Sequence, residues 1–381
     1  MIVLDSKQKN HCQKMISHLR NEIKNSGGYL SFDSWMDQAL YAPNLGYYSS
    51  QYLKNNSDLC CSDFVTSPEI TPLFSQVLAV QVAQILKQCS SKNILELGAG
   101  SGILAKNLLQ ELEKMDIEVK YNIIEVSKEI QLFQKNRLLP LGKHINWLKK
   151  FPKEFEGCII GNEFLDAIPV SLFRWSNHGT VLERGVGLDK NENFIWLDKQ
   201  APNFLSALVS ERVPPISGYL SEINIQAEKW ISTIAKSLNK GAVIIFDYGF
   251  PRHEYYHPQR NFGTLMCHFQ HHTYSNPLLM PGIQDITSHI DFTSIAEAGI
   301  KSNLDIIGYT SQARFLINIG LLDRINNLEQ YDKTHYFNMI SSIQKLVLES
   351  EMGELFKVLV LGRGIENPLL GFSYGNRIKT L

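Results

Sequence analysis

The sequence predicts an α/β fold, with a parallel sheet flanked by helices. The first observation is that, from residue 93 onward, short apolar runs alternate with amphipathic segments of helical period. The second is a glycine-rich turn between the first of these runs and the helix that follows it. Strands that alternate with helices are joined by right-handed crossovers, so the strands of this sheet are expected to lie parallel.

The N-terminal part predicts helices that precede this sheet. Residues 7–26 have a polar-faced helical pattern that ends at two glycines, and residues 31–40 form a second capped helix. Residues 54–67 are polar and predict a loop. A third helix is expected to begin at Ser67, whose neighbour Pro68 favours a helix start, and to continue through Leu86.

The core strands and helices follow from the alternation. The strands expected in the core are 93–97, 120–126, 145–148, 157–163 and 241–249, with two more at 303–310 and 355–362. The helices expected between them are 102–114 and 127–139.

Two segments interrupt the alternation. Residues 170–200 contain short apolar runs separated by Asn/Gly turns and predict a β-meander, and residues 311–350 predict helices. We therefore expect three parts in the chain. They are an N-terminal helical extension (1–88), a core (89–365) with insertions at about 170–235 and 311–350, and a C-terminal tail (366–381).

Composition excludes several classes of function. The 381 residues are 44% hydrophobic and 20% charged, as in ordinary globular enzymes. A net charge of −1 provides no field for a nucleic-acid backbone, so no nucleic-acid partner is expected. No apolar run is long enough to insert in a membrane.

The expected compartment is the cytoplasm. The N-terminal segment has neither a secretory apolar core nor the arginine-rich, acid-poor character of a transit peptide. Six cysteines in a chain of this length do not form a disulfide framework and fit a reducing compartment. The mitochondrial matrix is the alternative for a eukaryotic chain.

The motif "ELGAGSG" (96–102) predicts a nucleotide site. Its turn places backbone N–H groups and the positive end of a helix beside a ligand. A dinucleotide fingerprint would have its third glycine at position 103, which is Ile103 here. Glu96 would oppose a phosphate but suit a cation, and Glu125 ends the next strand, where a carboxylate accepts ribose hydroxyls. The pattern favours S-adenosylmethionine over NAD; a simple chain turn is the remaining alternative.

A second motif, "GNEFLDAIPV" (161–170), follows the fourth core strand. Asn162, Glu163 and Asp166 are therefore expected at the edge of the sheet where ligands bind. Paired carboxylates there act as acid and base, hold a metal or bind a guanidinium. A capping network at the junction of strand and helix is the structural alternative.

These motifs occur in an order that resembles MidA-type S-adenosylmethionine-dependent methyltransferases. The segments that carry the resemblance are "TSPEITPLF" (66–74), "ELGAGSG" (96–102), "GNEFLDAIPV" (161–170), "FDYG" (246–249) and "MPGIQDITSHIDFTSI" (280–295). They lie within about residues 25 to 365, nearly the whole chain. That family includes a mitochondrial complex I assembly factor that methylates an arginine of a core subunit.

The resemblance implies a class I methyltransferase fold, with a Rossmann-like sheet and S-adenosyl-L-methionine as cofactor. It also implies a protein as acceptor, with a respiratory-complex subunit as the analogous case. The residues expected to bind the cofactor are Glu96, Gly98, Ala99, Gly100, Gly102, Glu125, Val126, Pro68 and Glu69. Relatives of this type often carry Pro and Arg at the positions of Ala99 and Ser101.

An arginine acceptor would need its charge localised, because a protonated guanidinium is a weak nucleophile. The hypothesis is that Glu163, assisted by Asp166 or Asp247, binds two guanidinium nitrogens beside Asn162 and leaves the third more nucleophilic. These four residues are the catalytic candidates. A small-molecule acceptor and a non-catalytic assembly factor with a vestigial cofactor pocket are the alternative functions.

The histidines near residue 270 are not expected to hold a metal. Cys267, His268, His271 and His272 match no four-ligand zinc spacing, so contacts with substrate or proton transfer are favoured. Asp291 is expected to cap a helix.

Overall fold

The computed structural model describes residues 4–50, 66–142, 144–270, 272–326 and 333–381. The helices are α1 (Ser6–Asn25), α2 (Phe32–Tyr41), α3 (Ser67–Ile70), α4 (Pro72–Cys89), α5 (Ile103–Lys114), α6 (Lys128–Leu138), α7 (Asn203–Arg212), α8 (Ile225–Ser237), α9 (Arg252–Tyr255), α10 (Phe292–Lys301), α11 (Gln312–Asn318), α12 (Leu321–Asn326), α13 (Lys333–Val347) and α14 (Met352–Leu355). The strands are β1 (Leu30–Ser31), β2 (Asn93–Leu97), β3 (Lys120–Ile124), β4 (Ile145–Leu148), β5 (Phe155–Asn162), β6 (Ser171–Trp175), β7 (Val181–Leu188), β8 (Phe194–Gln200), β9 (Leu220–Ile223), β10 (Leu238–Phe250), β11 (Met266–Phe269), β12 (His272–Tyr274), β13 (Asp285–Thr287), β14 (Ile290–Asp291), β15 (Asp305–Ser311) and β16 (Phe356–Arg363).

The chain forms two compact units whose segments alternate along the sequence. So far as it is described, the first unit comprises Met1–Phe64, Asp166–Ala227 and Arg252–Ile290. The second unit comprises Val65–Leu165, Glu228–Pro251 and Asp291–Leu381. The domain boundaries expected from the sequence, at residues 88/89 and 365/366, differ from this division and remain a prediction.

The second unit is built on a mixed sheet. Seven of its strands run in the order β15-β16-β10-β5-β2-β3-β4. The five expected core strands pair in parallel, β4 on β3, β3 on β2, β2 on β5 and β5 on β10. The parallel prediction fails at one edge, because β16 is antiparallel to both β10 and β15. The chain reaches β16 from its neighbour β15 through the helices α11 to α14.

The core of the second unit lies between this sheet and its helices. It contains α4 side chains such as Phe74 and Val77, which have no exposed surface, and strand residues such as Ile94, Ile160 and Ile244. Burying such a side chain contributes about 1.5 to 3 kcal/mol, so the position of α4 and the strand ends is strongly determined.

The helix expected from Ser67 to Leu86 is broken after its first turn. Ile70 ends α3, Thr71 is extended with φ −158°, and Pro72 opens α4. Proline has no N–H to continue a helix and disfavours helical backbone in the residue before it, which explains the break.

The first unit contains the expected β-meander. Strands β6, β7 and β8 pair antiparallel, with β9 on β6 and β1 on β7. The N-terminal helices pack on this sheet, as when Trp35 meets Phe194 edge to face with ring centroids 4.6 Å apart. The predicted N-terminal helices are confirmed as α1 and α2. The cap predicted for the second helix is wrong, because the Ser31 hydroxyl bonds the side chains of Asp33 and Ser34 and not the helix backbone.

The remaining predictions of secondary structure are confirmed over the residues that the structure describes. Residues 311–350 contain α11, α12 and α13, and Asp291 caps α10 by accepting hydrogen bonds from the N–H groups of Thr293 and Ser294. The loop expected at 54–67 lies almost wholly outside the described residues. Among the residues that the structure describes, no helix is both long and apolar enough to cross a bilayer.

Candidate functional site

The glycine loop follows β2 in the second unit. Gly98, Gly100 and Gly102 all have positive φ, at 62°, 50° and 78°, a region in which other residues are strained. The Gly98 N–H donates to Ile124 O at 3.0 Å, which joins the loop to the end of β3. Gly102 is the N-cap of α5, so the predicted turn from strand to helix is confirmed.

The two side chains between the glycines, Ala99 and Ser101, are both buried. Ala99 is 7% exposed and belongs to the hydrophobic core, so only its backbone faces the loop's outer surface. A side chain at Gly100 would meet nothing within 4 Å, whereas one at Gly102 would lie 3.3 Å from Leu138. The outer surface of the loop is therefore open backbone, which suits a nucleoside ligand.

The loop also contacts α3. The Ser101 hydroxyl donates to a carboxylate oxygen of Glu69, and Ser101 Oγ accepts from Ile103 N at 3.3 Å. Pro68 is buried beside Glu69 in the same turn. Ser101 was not singled out as a site residue, and it is the residue through which the "SPEI" motif holds the loop.

Glu96 lies in β2 and is almost fully buried. It is 2% exposed, and its Oε2 accepts a hydrogen bond from the Tyr121 hydroxyl at 2.8 Å. Burial raises the pKa of its carboxyl from 4.5 to about 7; the Tyr121 hydrogen bond opposes this shift and nearby Glu125 adds to it.

Glu125 follows the end of β3, and its carboxylate accepts hydrogen bonds. Its Oε1 accepts from Ser127 N at 3.0 Å and its Oε2 from Gln134 Nε2 at 3.3 Å. Burial raises the pKa of this carboxyl to about 7, and the Ser127 N–H is the strongest opposing contact. The next residue, Val126, is 64% exposed, so its apolar side chain is available to a flat ligand.

The Asn162–Glu163 turn follows β5 at the same edge. Leu97 pairs with both Ile124 and Gly161, so the loop, Glu125 and this turn follow strand ends that lie side by side. Glu163 has φ +50°, and its N–H donates to Phe246 O at 2.8 Å. A non-glycine residue held in this region marks strain that often accompanies function.

The side chains of the turn are polar and ordered. Asn162 Nδ2 donates to Glu163 Oε1 at 3.0 Å, and Ser67 N donates to the same oxygen at 3.4 Å. Asn162 Oδ1 is buried and has no hydrogen-bond partner among the described residues. Such an atom costs about 1 to 3 kcal/mol unless something donates to it, which indicates a ligand or water at this position.

Two further residues shape the turn. Gly161 was not selected from the sequence, yet a side chain there would overlap the ring of Phe164. Asp247 is fully buried; its Oδ2 accepts from Leu165 N and its Oδ1 from Tyr248 N, both at 3.0 Å. Asp247 therefore fixes the backbone of the turn through the hydrogen bond from Leu165 N.

The other candidates lie in the first unit. Asp166 is its first residue after the turn, is 6% exposed, and accepts a backbone hydrogen bond from Ser288 N at 3.0 Å. His268 lies in β11, where burial lowers its pKa to about 4. His271 lies outside the described residues. Within the described chain, no group of three or more His, Cys, Asp or Glu residues is arranged to hold a metal.

The arrangement in the second unit fits S-adenosylmethionine. Open glycine backbone, a hydrogen-bonded carboxylate and an apolar residue beside it match the groups of a nucleoside. The buried Asn162 oxygen provides an acceptor for an ammonium or N–H group. A sheet of this order with these groups at its carboxyl edge defines a nucleoside-binding α/β enzyme of the methyltransferase class.

Comparison with known proteins also assigns the chain to the methyltransferases. The family described as "Putative S-adenosyl-L-methionine-dependent methyltransferase" matches residues 77–310. The chain belongs to this family. The fold class, the S-adenosyl-L-methionine cofactor and the resemblance to MidA-type methyltransferases are thereby confirmed.

Individual relatives cover nearly the whole chain. A Burkholderia thailandensis protein, solved bound to S-adenosyl-homocysteine, is 38% identical with a TM-score of 0.93, and 100% of each chain is covered. The protein arginine methyltransferase NDUFAF7, mitochondrial, of Rattus norvegicus is 24% identical over 93% of this chain and 85% of its own. The Caenorhabditis elegans homologue is 27% identical over 92% and 86%.

Glu96 leads to a prediction about pH and stability. Its pKa is raised from 4.5 to about 7, so between these values the folded state binds more protons than the unfolded state. The free energy of unfolding therefore falls as pH rises to about 7, and Glu96→Gln removes this loss. By chemical denaturation, we expect the variant to be more stable by up to about 3 kcal/mol at pH 8 and equally stable near pH 5. An equal difference at both pH values would contradict burial of the charge as the cause.

Gly161 leads to a second prediction. The methyl group of Gly161→Ala would displace the Phe164 ring, which lies 6.5 Å from Trp230 between centroids. We expect a loss of about 1 to 3 kcal/mol in the free energy of unfolding. The control is the same substitution in a Phe164→Ala background, where the loss should largely disappear. An undiminished loss there would exclude the clash with Phe164.

Proposed function

We propose that the chain transfers the methyl group of S-adenosylmethionine to an arginine side chain of a protein. The observation that carries this proposal is the Asn162–Glu163 turn, a strained polar turn that follows a strand adjacent to the strand of the glycine loop. The names of the relatives, which are protein arginine methyltransferases, support the choice of acceptor.

The residues proposed to hold the cofactor are those of the strand ends. The backbone of Gly98, Ala99, Gly100 and Gly102 would face the nucleoside, and Glu125 would accept the ribose hydroxyls beside Val126. When ionised, Glu96 near the end of β2 places a negative charge next to the loop, which favours a sulfonium and an ammonium over a phosphate. The crystal structure of the Burkholderia thailandensis relative, with S-adenosyl-homocysteine bound, supports the choice of cofactor.

Pro68 and Glu69 are proposed as one wall of this site. Glu69 holds Ser101 of the loop, while Ser67 in the same turn donates its N–H to Glu163. The Ser67 hydroxyl donates to Gln312 Oε1 at 2.9 Å, which fixes α3 on α11. One short helix therefore contacts both motifs, and we propose that it keeps their spacing.

When bound, the cofactor supplies an electrophilic methyl group on its sulfonium. The contribution of the chain is then orientation, because direct displacement needs the nucleophile in line and no covalent enzyme intermediate. Glu163 would accept hydrogen bonds from two guanidinium nitrogens, since a carboxylate matches that planar group. The charge would be localised there, and the third nitrogen would keep more lone-pair character.

The other two carboxylates receive different proposed roles. Asp247 accepts from Leu165 N and is fully buried, so we propose that it positions the turn without touching the acceptor. Asp166 remains a predicted acceptor-binding residue. Asn162 would use its Oδ1 as an acceptor for the amino end of the cofactor or for the substrate.

The compartment is proposed from the cysteines. Cys12, Cys89, Cys158 and Cys267 are all free and buried, which suits a reducing environment such as the cytoplasm. The animal relatives are named mitochondrial, and the matrix is also reducing, so it is the second candidate. Fractionation of source cells with an antibody to the chain separates the two.

The acceptor is tested by labelled methyl transfer into a cell extract, followed by acid hydrolysis and separation of methylated amino acids. We expect label in methylarginine within a protein that protease releases. Label only in small solutes would favour a small-molecule methyltransferase. No transfer and no binding of S-adenosylmethionine would favour an assembly factor with a vestigial pocket.

Glu163→Gln tests the acceptor-binding turn. We expect methyl transfer to fall at least about a hundredfold while the Kd for S-adenosylhomocysteine changes less than about threefold, because the side chain faces the acceptor. The matched control is Glu156→Gln, an exposed carboxylate at the other end of β5, which should leave both unchanged. Lost cofactor affinity in Glu163→Gln would assign Glu163 to the cofactor instead.

The raised pKa of Glu125 predicts that cofactor binding depends on pH. Ribose hydroxyls donate to the charged carboxylate, whose pKa is about 7 in the unliganded fold. Affinity for S-adenosylhomocysteine should therefore rise with pH up to about 7 and level off above about 8, with about a tenfold change between pH 6 and 8. Calorimetry in buffers of different ionisation heat measures the proton released on binding. A constant affinity over this range would contradict contact with the ionised group.

A further inference from the structure

Gln134 joins three parts of the cofactor region and was not selected from the sequence. It lies on α6 and has no exposed surface. Its Nε2 donates to Gly100 O at 3.0 Å and to Glu125 Oε2 at 3.3 Å. Its Oε1 accepts from the Trp147 indole N–H at 2.8 Å. One amide therefore contacts the glycine loop, the proposed ribose carboxylate and β4.

The orientation of this amide is determined by its partners. The indole of Trp147 is only a donor, and Gly100 O is only an acceptor. A flipped amide would place its NH₂ against the indole N–H and its oxygen against two oxygens, losing all three hydrogen bonds. Gln134 is thus held in one rotamer that presents both N–H groups to the site.

This donor fixes the direction of the Glu125 carboxylate. The Glu125 carboxylate accepts hydrogen bonds from Ser127 N and from Gln134, and the backbone N–H of Val126 also helps to lower its pKa. A carboxylate has about four acceptor positions, which leaves room for a ribose hydroxyl. Without Gln134 the carboxylate would lose its side-chain donor and would be held by backbone N–H groups only.

The same residue also supports the glycine loop. Gly100 has φ +50°, and its carbonyl is tied to α6 by the Gln134 hydrogen bond. A side chain at Gly102 would lie 3.6 Å from Gln134 Cγ and 3.3 Å from Leu138, so the missing side chain lets this face of α6 approach the loop. Loop and carboxylate therefore share one support.

We propose that Gln134 is the positioning residue that aligns the Glu125 carboxylate with the glycine loop and so sets the affinity of the site for the nucleoside. This proposal rests on the proposed function, because it takes the loop and Glu125 as the cofactor site. Gln134 acts through its two partners and makes no contact with the reacting atoms.

The experiment is a double-mutant cycle on the full-length chain, with S-adenosylhomocysteine as the probe in calorimetry. The variants are Gln134→Met, which keeps the volume and removes the hydrogen bonds, Glu125→Gln, and the double variant. We expect Gln134→Met to weaken binding by about ten- to a hundredfold. The double variant should bind no more than about threefold weaker than Glu125→Gln alone, because Gln134 is proposed to act on affinity through the Glu125 carboxylate.

A matched control lies one turn earlier on the same helix. Gln131 Nε2 donates to the backbone oxygen of Glu125 at 2.6 Å and not to its carboxylate. Gln131→Met should change affinity less than about threefold. Circular dichroism and thermal unfolding of every variant identify any that fail to fold, and Gln134→Glu serves as a second probe. Its carboxylate would face Glu125, so its affinity relative to that of the unchanged chain should recover as pH falls and one of the two groups takes up a proton.

The possible outcomes are distinct. If the unchanged chain does not bind S-adenosylhomocysteine, the proposed function fails. If it binds and Gln134→Met binds equally well, the function stands and the role of Gln134 is overturned. Losses that multiply in the double variant also overturn it, because Gln134 would then act independently of Glu125.

Discussion

The parallel register of β3, β2 and β5 is the constraint on which the site depends. Leu97 pairs with Ile124 on one side and with Gly161 on the other, so the residues after all three strands emerge at one edge of the sheet. The glycine loop follows β2, the Glu125 carboxylate follows β3, and the strained polar turn follows β5. A register shift of one residue would turn the side chains of a strand to the other face. The buried apolar residues of these strands oppose such a shift, since Ile94, Ile123 and Ile160 belong to the hydrophobic core.

Buried polar groups complete this arrangement at a cost in stability. Glu96 and Glu125 both have pKa values raised to about 7 by burial, so the unliganded fold is less stable at neutral pH than apolar residues would make it. Hydrogen bonds from Tyr121, Ser127 and Gln134 offset part of this cost. The strained φ of Glu163 is a further cost. These costs fall on residues proposed to meet the cofactor or the acceptor, which is where natural proteins tolerate them.

The sequence predicted the parts of the structure that local patterns encode. The glycine loop, the core strands and the meander follow from periodicity and turn residues, so β2 and β4 have the expected bounds. The direction of β16 was not predictable, because strand pairing is a property of the whole sheet. Nor was Gln134, since a glutamine on a helix has no local signal that distinguishes a buried amide from an exposed one. The helix break at Thr71 did have a signal, the proline that follows it. The functions proposed for the site residues rest on neighbouring strand ends together with family membership, and neither alone assigns the acceptor.

The most direct test of this account is the structure of the chain bound to S-adenosylhomocysteine. The account predicts both ribose hydroxyls within about 3.2 Å of the Glu125 carboxylate, the nucleoside on the backbone of the glycine loop, and Asn162 Oδ1 with a donor from the ligand. A ribose held by other residues, with no contact to the Glu125 carboxylate, would contradict it.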